Sequence, residues 1–119
     1  MKHCLIAGAV AVAGMALMTS CSTANKPLYS WENYESVSYN YSKDQTEENM
    51  LKLQKCYDKM SEKQKGLRKV VPPGLCTERA YLLVRQGKKD AAIVMLGKEM
   101  ELYPESKPFV EKIIKQLQK

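Results

Sequence analysis

Residues 73–106, PGLCTERAYLLVRQGKKDAAIVMLGKEMELYPES, decide the fold of this 119-residue chain. Apolar side chains recur in this stretch at intervals of three and four residues, the spacing that places them on one face of a helix. Gly87 and Pro104 punctuate the pattern, and both residue types interrupt helices. The stretch therefore predicts two helices joined by a tight turn. Their apolar faces are Cys76, Ala80 and Leu83, then Ile93, Leu96, Met100 and Tyr103.

The same stretch resembles a tetratricopeptide repeat, a helical hairpin of 34 residues. Two residues depart from the repeat pattern: Arg79 stands where an apolar residue is usual, and Glu99 replaces a small one. An ordinary helical hairpin is the alternative interpretation. The matching residues are Ala80 and Leu83 on the first helix, Gln86 and Gly87 at the turn, Ala92 and Leu96 on the second helix, and Pro104 at its end.

The flanking segments complete an all-α chain of about five helices. Asp44-Gln45-Thr46-Glu47 is typical of a helix start, and it predicts a helix over residues 46–65 that Gly66 ends. Residues 70–74 contain two prolines and predict an extended connection. Ser106 is expected to cap a last helix. The expected buried faces are Met50, Leu53, Tyr57 and Met60, then Phe109, Ile113 and Leu117.

One repeat cannot bury its own faces, because each repeat is covered by its neighbours. We therefore expect residues 30–65 to form a degenerate hairpin before the repeat. Residues 107–118 would then cap the stack as a single helix.

Aromatic residues concentrate in residues 29–41, which hold the only tryptophan of the chain. Trp31, Tyr34 and Tyr41 would share one face of a helix capped by Ser30. The alternation at positions 37, 39 and 41 would also suit a strand. Two early acidic residues favour the helix, because the helix dipole stabilises negative charge there. Trp31 and Tyr34 are candidates for partner binding, and packing against the helices is the alternative.

The first twenty residues are typical of a bacterial lipoprotein signal peptide. An uncharged run from residue 5 to residue 18 follows a basic start and is too short to span a bilayer. Met18-Thr19-Ser20-Cys21 resembles a lipobox, whose cysteine receives a covalent diacylglycerol and, after cleavage, an N-acyl chain. We expect residues 1–20 to be the signal, 21–28 a lipidated tether and 29–119 the helical domain. Ordinary secretory cleavage after Ala24 is the alternative.

The mature chain lacks the residue sets of common active sites. Its only histidine, His3, belongs to the signal, and no glycine-rich phosphate loop is present. We therefore expect no enzyme, no metal and no cofactor other than the lipid on Cys21. Neither nucleic acid nor a small-molecule substrate is expected. Cys56 and Cys76 either form a disulfide, as an oxidising compartment permits, or pack as small buried thiols.

Three spaced motifs resemble a family of short bacterial lipoproteins known as domain of unknown function 4810. The resemblance extends from residue 21 to residue 117, and it implies a lipoprotein without an assigned activity. It also implies a genomic neighbourhood that includes lipoproteins resembling the curli secretion channel. The motifs are Leu28-Tyr29-x-Trp31-x-x-Tyr34, Val71-Pro72-Pro73-Gly74-Leu75 and Leu102-Tyr103-Pro104-Glu105-Ser106.

Together these features predict a non-catalytic adaptor or accessory subunit, held by its lipid at the periplasmic face of the outer membrane. Its partner would be another envelope protein, for which the resemblance suggests a lipoprotein like the curli secretion channel. By resemblance to the repeat, the groove residues are Glu78, Tyr81 and Leu82. The net charge of +6 supports an alternative, a structural protein that binds peptidoglycan or lipopolysaccharide through a basic surface.

Overall fold

The computed structural model describes residues 25–119, and all regular structure in this range is helical. The predicted all-α class is confirmed. A 3₁₀ turn at Pro104–Ser106 precedes the last helix. The predicted signal and the lipobox Met18-Thr19-Ser20-Cys21 lie outside the described residues. The five helices of the described range are α1 Tyr34–Lys43, α2 Glu47–Glu62, α3 Leu75–Arg85, α4 Lys89–Leu102 and α5 Lys107–Leu117.

Thr46 begins α2, as the sequence predicts. Its Oγ1 accepts a hydrogen bond from the Asn49 backbone amide at 3.2 Å, which satisfies one of the free donors at the helix start. The Asn49 side-chain amide also donates to the Asp44 carbonyl at 2.9 Å, which fixes the short link from α1. Because this link is short, α1 and α2 fold back on each other and pack together.

Gly87 makes the turn between α3 and α4, also as predicted. Its φ of +76° lies in the left-handed region, which glycine adopts without a steric penalty. The amides of Gly87 and Lys88 donate to the carbonyls of Val84 and Leu83, both at 2.9 Å. This is the Schellman arrangement that ends a helix. The turn directs α4 back along α3, and these two helices share the most extensive packing of the described residues.

The start of α1 differs from the prediction. Ser30 does not cap a helix, because α1 begins at Tyr34 and Trp31 lies in the loop before it. Ser30 is instead held by Gln64, whose Nε2 donates to the Ser30 carbonyl at 3.2 Å. A long-range contact therefore replaces the predicted helical turn. The buried face of α1 consists of Val37 and Tyr41.

Two other details of the helix ends also differ. The α2 helix ends at Glu62, and Gly66 has another role: a β-carbon there would collide with the backbone of Leu28 and Tyr29. Gly66 therefore allows the segment before α1 to cross the loop after α2. Ser106 does precede α5, but its hydroxyl donates to the Tyr103 carbonyl at 2.7 Å and does not cap the helix.

Buried apolar side chains form two clusters. The N-terminal cluster lies between α1, α2 and one face of α3, and it includes Leu53, Tyr57 and Met60, as their spacing predicts. The C-terminal cluster lies between α3, α4 and α5. Ala80 and Ala92 are buried within it, and their small side chains let α3 and α4 approach closely.

Candidate functional site

An apolar groove runs between α3 and α5, with Leu96 of α4 between them. Its lining is almost wholly hydrocarbon, and its cavity has a volume of about 240 Å³. Tyr81 is 57% exposed, so its ring is accessible to a partner. Such a surface can receive the apolar face of a helix. The lining residues are Thr77, Ala80, Tyr81, Val84, Leu96, Ile113 and Leu117.

At Thr77 the groove meets a second cleft, which is acidic. Thr77 lines both concavities, and the second is lined further by Glu99, Glu105 and Phe109. Its volume is about 370 Å³. Phe109 also lines the cleft and is 63% exposed, so its ring is accessible to solvent. Its predicted place on the buried face of α5 was wrong, because Val110 is the residue buried there. An apolar surface and a negatively charged one are thus continuous.

Glu99 is held by the start of α3. Its Oε1 accepts a hydrogen bond from the Gly74 amide at 2.7 Å, and the positive end of the helix dipole stabilises the carboxylate. Gly74 has a φ of +89°, a backbone geometry that favours glycine. The other oxygen of Glu99, Oε2, is buried and has no hydrogen-bond partner among the described residues.

Glu78, a predicted groove residue, connects three helices instead. Its Oε2 accepts hydrogen bonds from the Tyr34 hydroxyl at 2.7 Å and from the Tyr57 hydroxyl at 2.9 Å. Helices α1, α2 and α3 therefore meet at one carboxylate oxygen. Burial and the hydrogen bond to Glu78 raise the pKa of Tyr34 to about 12, and burial with the charge of Glu78 raises the pKa of Tyr57.

The predicted partner-binding residues do not lie together. Tyr81 lines the groove, whereas Leu82 is 2% exposed and belongs to the N-terminal cluster, so its assignment to the groove was incorrect. Successive helical residues differ by about 100° around the axis, and this step turns Leu82 into the core. Tyr34 is occupied by its contact with Glu78, and Trp31 lies before α1, on the segment that crosses the loop after α2.

Thr77, Val84 and Glu99 are among the site residues that the sequence analysis did not identify. Thr77 and Val84 are separated from Ala80 by three and four residues, and this spacing is the signal that could have found them. Glu99 was noted only as a departure from the repeat pattern. A carboxylate on an otherwise apolar helix face was the signal there, because buried carboxylates need a partner.

The three motifs that carry the family resemblance meet at Tyr103. Its hydroxyl donates to the Val71 carbonyl at 2.6 Å and lies 3.3 Å from the Tyr29 hydroxyl. Each of these three residues comes from a different motif. Burial and the hydrogen bond with Tyr29 raise the pKa of Tyr103. The motifs are therefore joined by long-range contacts beside the acidic cleft, which Tyr103 also lines.

Cys56 and Cys76 are free thiols, both buried in the N-terminal cluster. The structure does not join them in a disulfide, so they match the packing alternative. Burial raises the pKa of each thiol, and both therefore stay protonated at neutral pH. Because the thiolate is the reactive form of cysteine, these side chains act here as small apolar groups.

Two further kinds of feature are absent from residues 25–119. This range contains no group of three or more His, Cys, Asp or Glu side chains that could hold a metal ion. None of the helices in the same range is both long enough and apolar enough to cross a membrane.

A family model described as Domain of unknown function (DUF4810) matches residues 28–113, a range that includes all three motifs. Searches of curated proteins and of solved structures find no match to the chain.

Proposed function

The chain belongs to the DUF4810 family, and from its own surfaces we propose that it is a lipid-anchored, non-catalytic adaptor of the bacterial envelope. The observation that supports this function is the apolar groove between α3 and α5 together with its acidic end. Hydrocarbon surface exposed to water in a concave lining costs free energy until a partner covers it.

The partner segment that fits is an amphipathic helix of another envelope protein. Its apolar face would cover the groove beside Tyr81, in the helix-in-groove mode of recognition. A lysine or arginine at one end of that helix would reach the cleft and donate to Glu105, whose side chain is exposed. Phe109 offers its exposed ring to the same cation. The rest of the described chain has an excess of basic residues. The acidic cleft would therefore determine which end of the partner helix binds there.

The anchor supplies location. Lipidation at Cys21 would hold the domain at the periplasmic face of the outer membrane, in agreement with the lipobox pattern. The next residue is Ser22, and an aspartate in its place would have resembled the signal for retention in the inner membrane. Confinement to one membrane raises the effective concentration of a partner anchored in the same membrane. The family resemblance suggests that this partner is a lipoprotein like the curli secretion channel.

Site-specific photocrosslinking in intact cells tests the groove. A photoreactive residue replaces Tyr81 in one strain, and in a control strain it replaces Val94, which is 59% exposed on α4 and does not line the groove. We expect the Tyr81 position alone to crosslink to one envelope protein. Mass spectrometry of the crosslinked peptide should identify an amphipathic segment with a basic residue.

Charge reversal at the cleft sharpens the test. Glu105→Lys should weaken the crosslink from position 81, because it places a cation where the partner's basic residue would bind. Equal crosslinking from positions 81 and 94 would refute the groove. Capture of only peptidoglycan or lipopolysaccharide would favour the alternative role as a structural protein of the envelope.

The anchor is tested separately by Cys21→Ser. This substitution should abolish acylation, which is measured as the mass of the mature N-terminal peptide. An acylated N-terminus in the variant would contradict the assignment of Cys21.

A further inference from the structure

The segment before α1 crosses the loop after α2, and backbone hydrogen bonds fix the crossing. The Leu67 amide donates to the Pro27 carbonyl and the Arg68 amide to the Leu28 carbonyl, both at 3.0 Å. Gln64 bonds to both backbone groups of Ser30, and Gly66 makes the close approach sterically acceptable. Residues 26–32 and 63–69 therefore form one surface, which we call the tether face.

The tether face carries most of the net charge of the domain. It has five basic residues and one acidic residue, a net charge of +4, whereas residues 25–119 together have +5. The acidic residue, Glu32, is paired with Lys65 at 3.4 Å. A hydrogen bond from the Ser30 hydroxyl and this contact with Lys65 hold the pKa of Glu32 below its usual range. The basic residues are Lys26, Lys63, Lys65, Arg68 and Lys69, all exposed.

The same two segments expose large apolar side chains. Leu28 is 54% exposed, Trp31 46% and Leu67 55%. Tryptophan is the side chain most typical of the membrane–water interface, because its ring is apolar and its N–H is polar. Lysine and arginine beside such residues can reach anionic headgroups while their aliphatic stems stay in the apolar region.

We infer that the tether face binds the surface of a bilayer that contains anionic phospholipid, with Trp31 at the interface and the basic residues at the headgroups. This inference rests on the proposed lipid anchor. Leu28 is only seven positions after Cys21, so even a fully extended tether reaches at most about 25 Å. The face that begins at the end of this tether is therefore the part of the domain that the anchor keeps nearest the membrane. None of its residues lines the groove or the acidic cleft, so a partner could bind at the same time.

The test uses the full mature chain with Cys21→Ser, so that no acyl chain contributes. Flotation is measured with vesicles of equal parts phosphatidylglycerol and phosphatidylcholine, and with vesicles of phosphatidylcholine alone. Trp31 is the only tryptophan, so its emission reports on this face directly. We expect a blue shift and quenching by brominated lipid with the anionic vesicles, and we expect high salt to reverse both.

A double variant tests the charge of the tether face. Each basic residue near an anionic membrane contributes about fivefold to partitioning, so Arg68→Gln with Lys69→Asn should weaken vesicle binding about 25-fold. Asparagine suits position 69, where φ is +58°. The matched control, Lys112→Gln with Lys115→Gln, removes the same charge from exposed positions of α5 and should bind as before.

Three results would overturn the inference: no flotation with anionic vesicles, an equal loss in both double variants, or binding to peptidoglycan sacculi in place of vesicles. The anchor is judged independently. Acylation of Cys21 without vesicle binding by the Cys21→Ser chain would refute the tether face and leave the adaptor proposal intact. Vesicle binding by that chain without acylation of the wild-type protein would refute the anchor alone.

Discussion

The two apolar clusters of this domain differ in how completely they are covered. The N-terminal cluster contains ten buried residues, several of them large, and only two partly buried neighbours. The C-terminal cluster contains four buried residues, two of them alanines, with seven partly buried hydrophobic residues around them. The N-terminal cluster is covered on all sides, whereas the C-terminal cluster is exposed on one side, at the α3–α5 groove.

Their polar edges differ in the same way. At the edge of the N-terminal cluster, Glu78 receives hydrogen bonds from two tyrosines. At the edge of the C-terminal cluster, Glu99 has one oxygen bonded to Gly74 and one without a partner among residues 25–119. The comparison indicates that the N-terminal half supplies most of the buried packing, and that the C-terminal half leaves apolar surface exposed at the groove, which the proposed partner would cover.

The largest expected effect on stability comes from creating a cavity in the N-terminal cluster. Met60 is completely buried, so Met60→Ala should lower the free energy of unfolding by about 2–5 kcal/mol, through lost burial and an unfilled cavity. Denaturant unfolding followed by circular dichroism measures the change.

Leu117→Ala is the matched truncation at the groove. Leu117 is only partly buried, so the loss should be about 1 kcal/mol or less. Equal losses in the free energy of unfolding for Met60→Ala and Leu117→Ala would contradict the difference in coverage between the two clusters.

An intermediate effect is expected at Glu99. Glu99→Ala leaves the Gly74 amide without its acceptor and should cost about 1–3 kcal/mol in the free energy of unfolding. Glu99→Gln keeps an acceptor oxygen and should cost less. Glu101→Ala, on the exposed side of the same helix, is the control and should be neutral. If Glu99→Ala raised the free energy of unfolding, burial of the Glu99 carboxylate would cost more than its hydrogen bond with the Gly74 amide contributes.

The sequence predicted those parts of the fold that depend on near neighbours. Thr46 caps a helix through a residue three positions away, and Gly87 ends one through its own backbone conformation. The spacing of Leu53, Tyr57 and Met60 likewise identified a buried face, because helical periodicity is a local property.

The sequence could not predict features that depend on distant contacts. Glu99 is buried because Gly74, twenty-five positions earlier, needs an acceptor. Arg79 occupies a position where the repeat has an apolar residue. It is accommodated there by an ion pair, in which its Nη2 lies 2.5 Å from Oδ1 of Asp58 on α2. The predicted groove residues Tyr81 and Leu82 are neighbours in sequence, and only packing on both sides of α3 separates the exposed one from the buried one.

A small effect at neutral pH, and the one that depends on pH, is expected at the tyrosine pair that closes the N-terminal cluster. Tyr34→Phe removes one hydrogen bond to Glu78 and should cost about 1 kcal/mol at pH 7. In the unfolded chain tyrosine loses its proton near pH 10, whereas the pKa of Tyr34 in the folded protein is about 12 and that of Tyr57 is also raised. Between pH 10 and 12 the unfolded chain therefore binds fewer protons than the folded one, so the stability that is complete below pH 10 falls as the pH rises.

Denaturant midpoints across this range should fall less steeply for Tyr34→Phe than for the wild-type protein, and Tyr39→Phe, on the exposed side of α1, should follow the wild type. Parallel slopes for Tyr34→Phe and the wild type would show that the contact with Glu78 does not close this edge of the core.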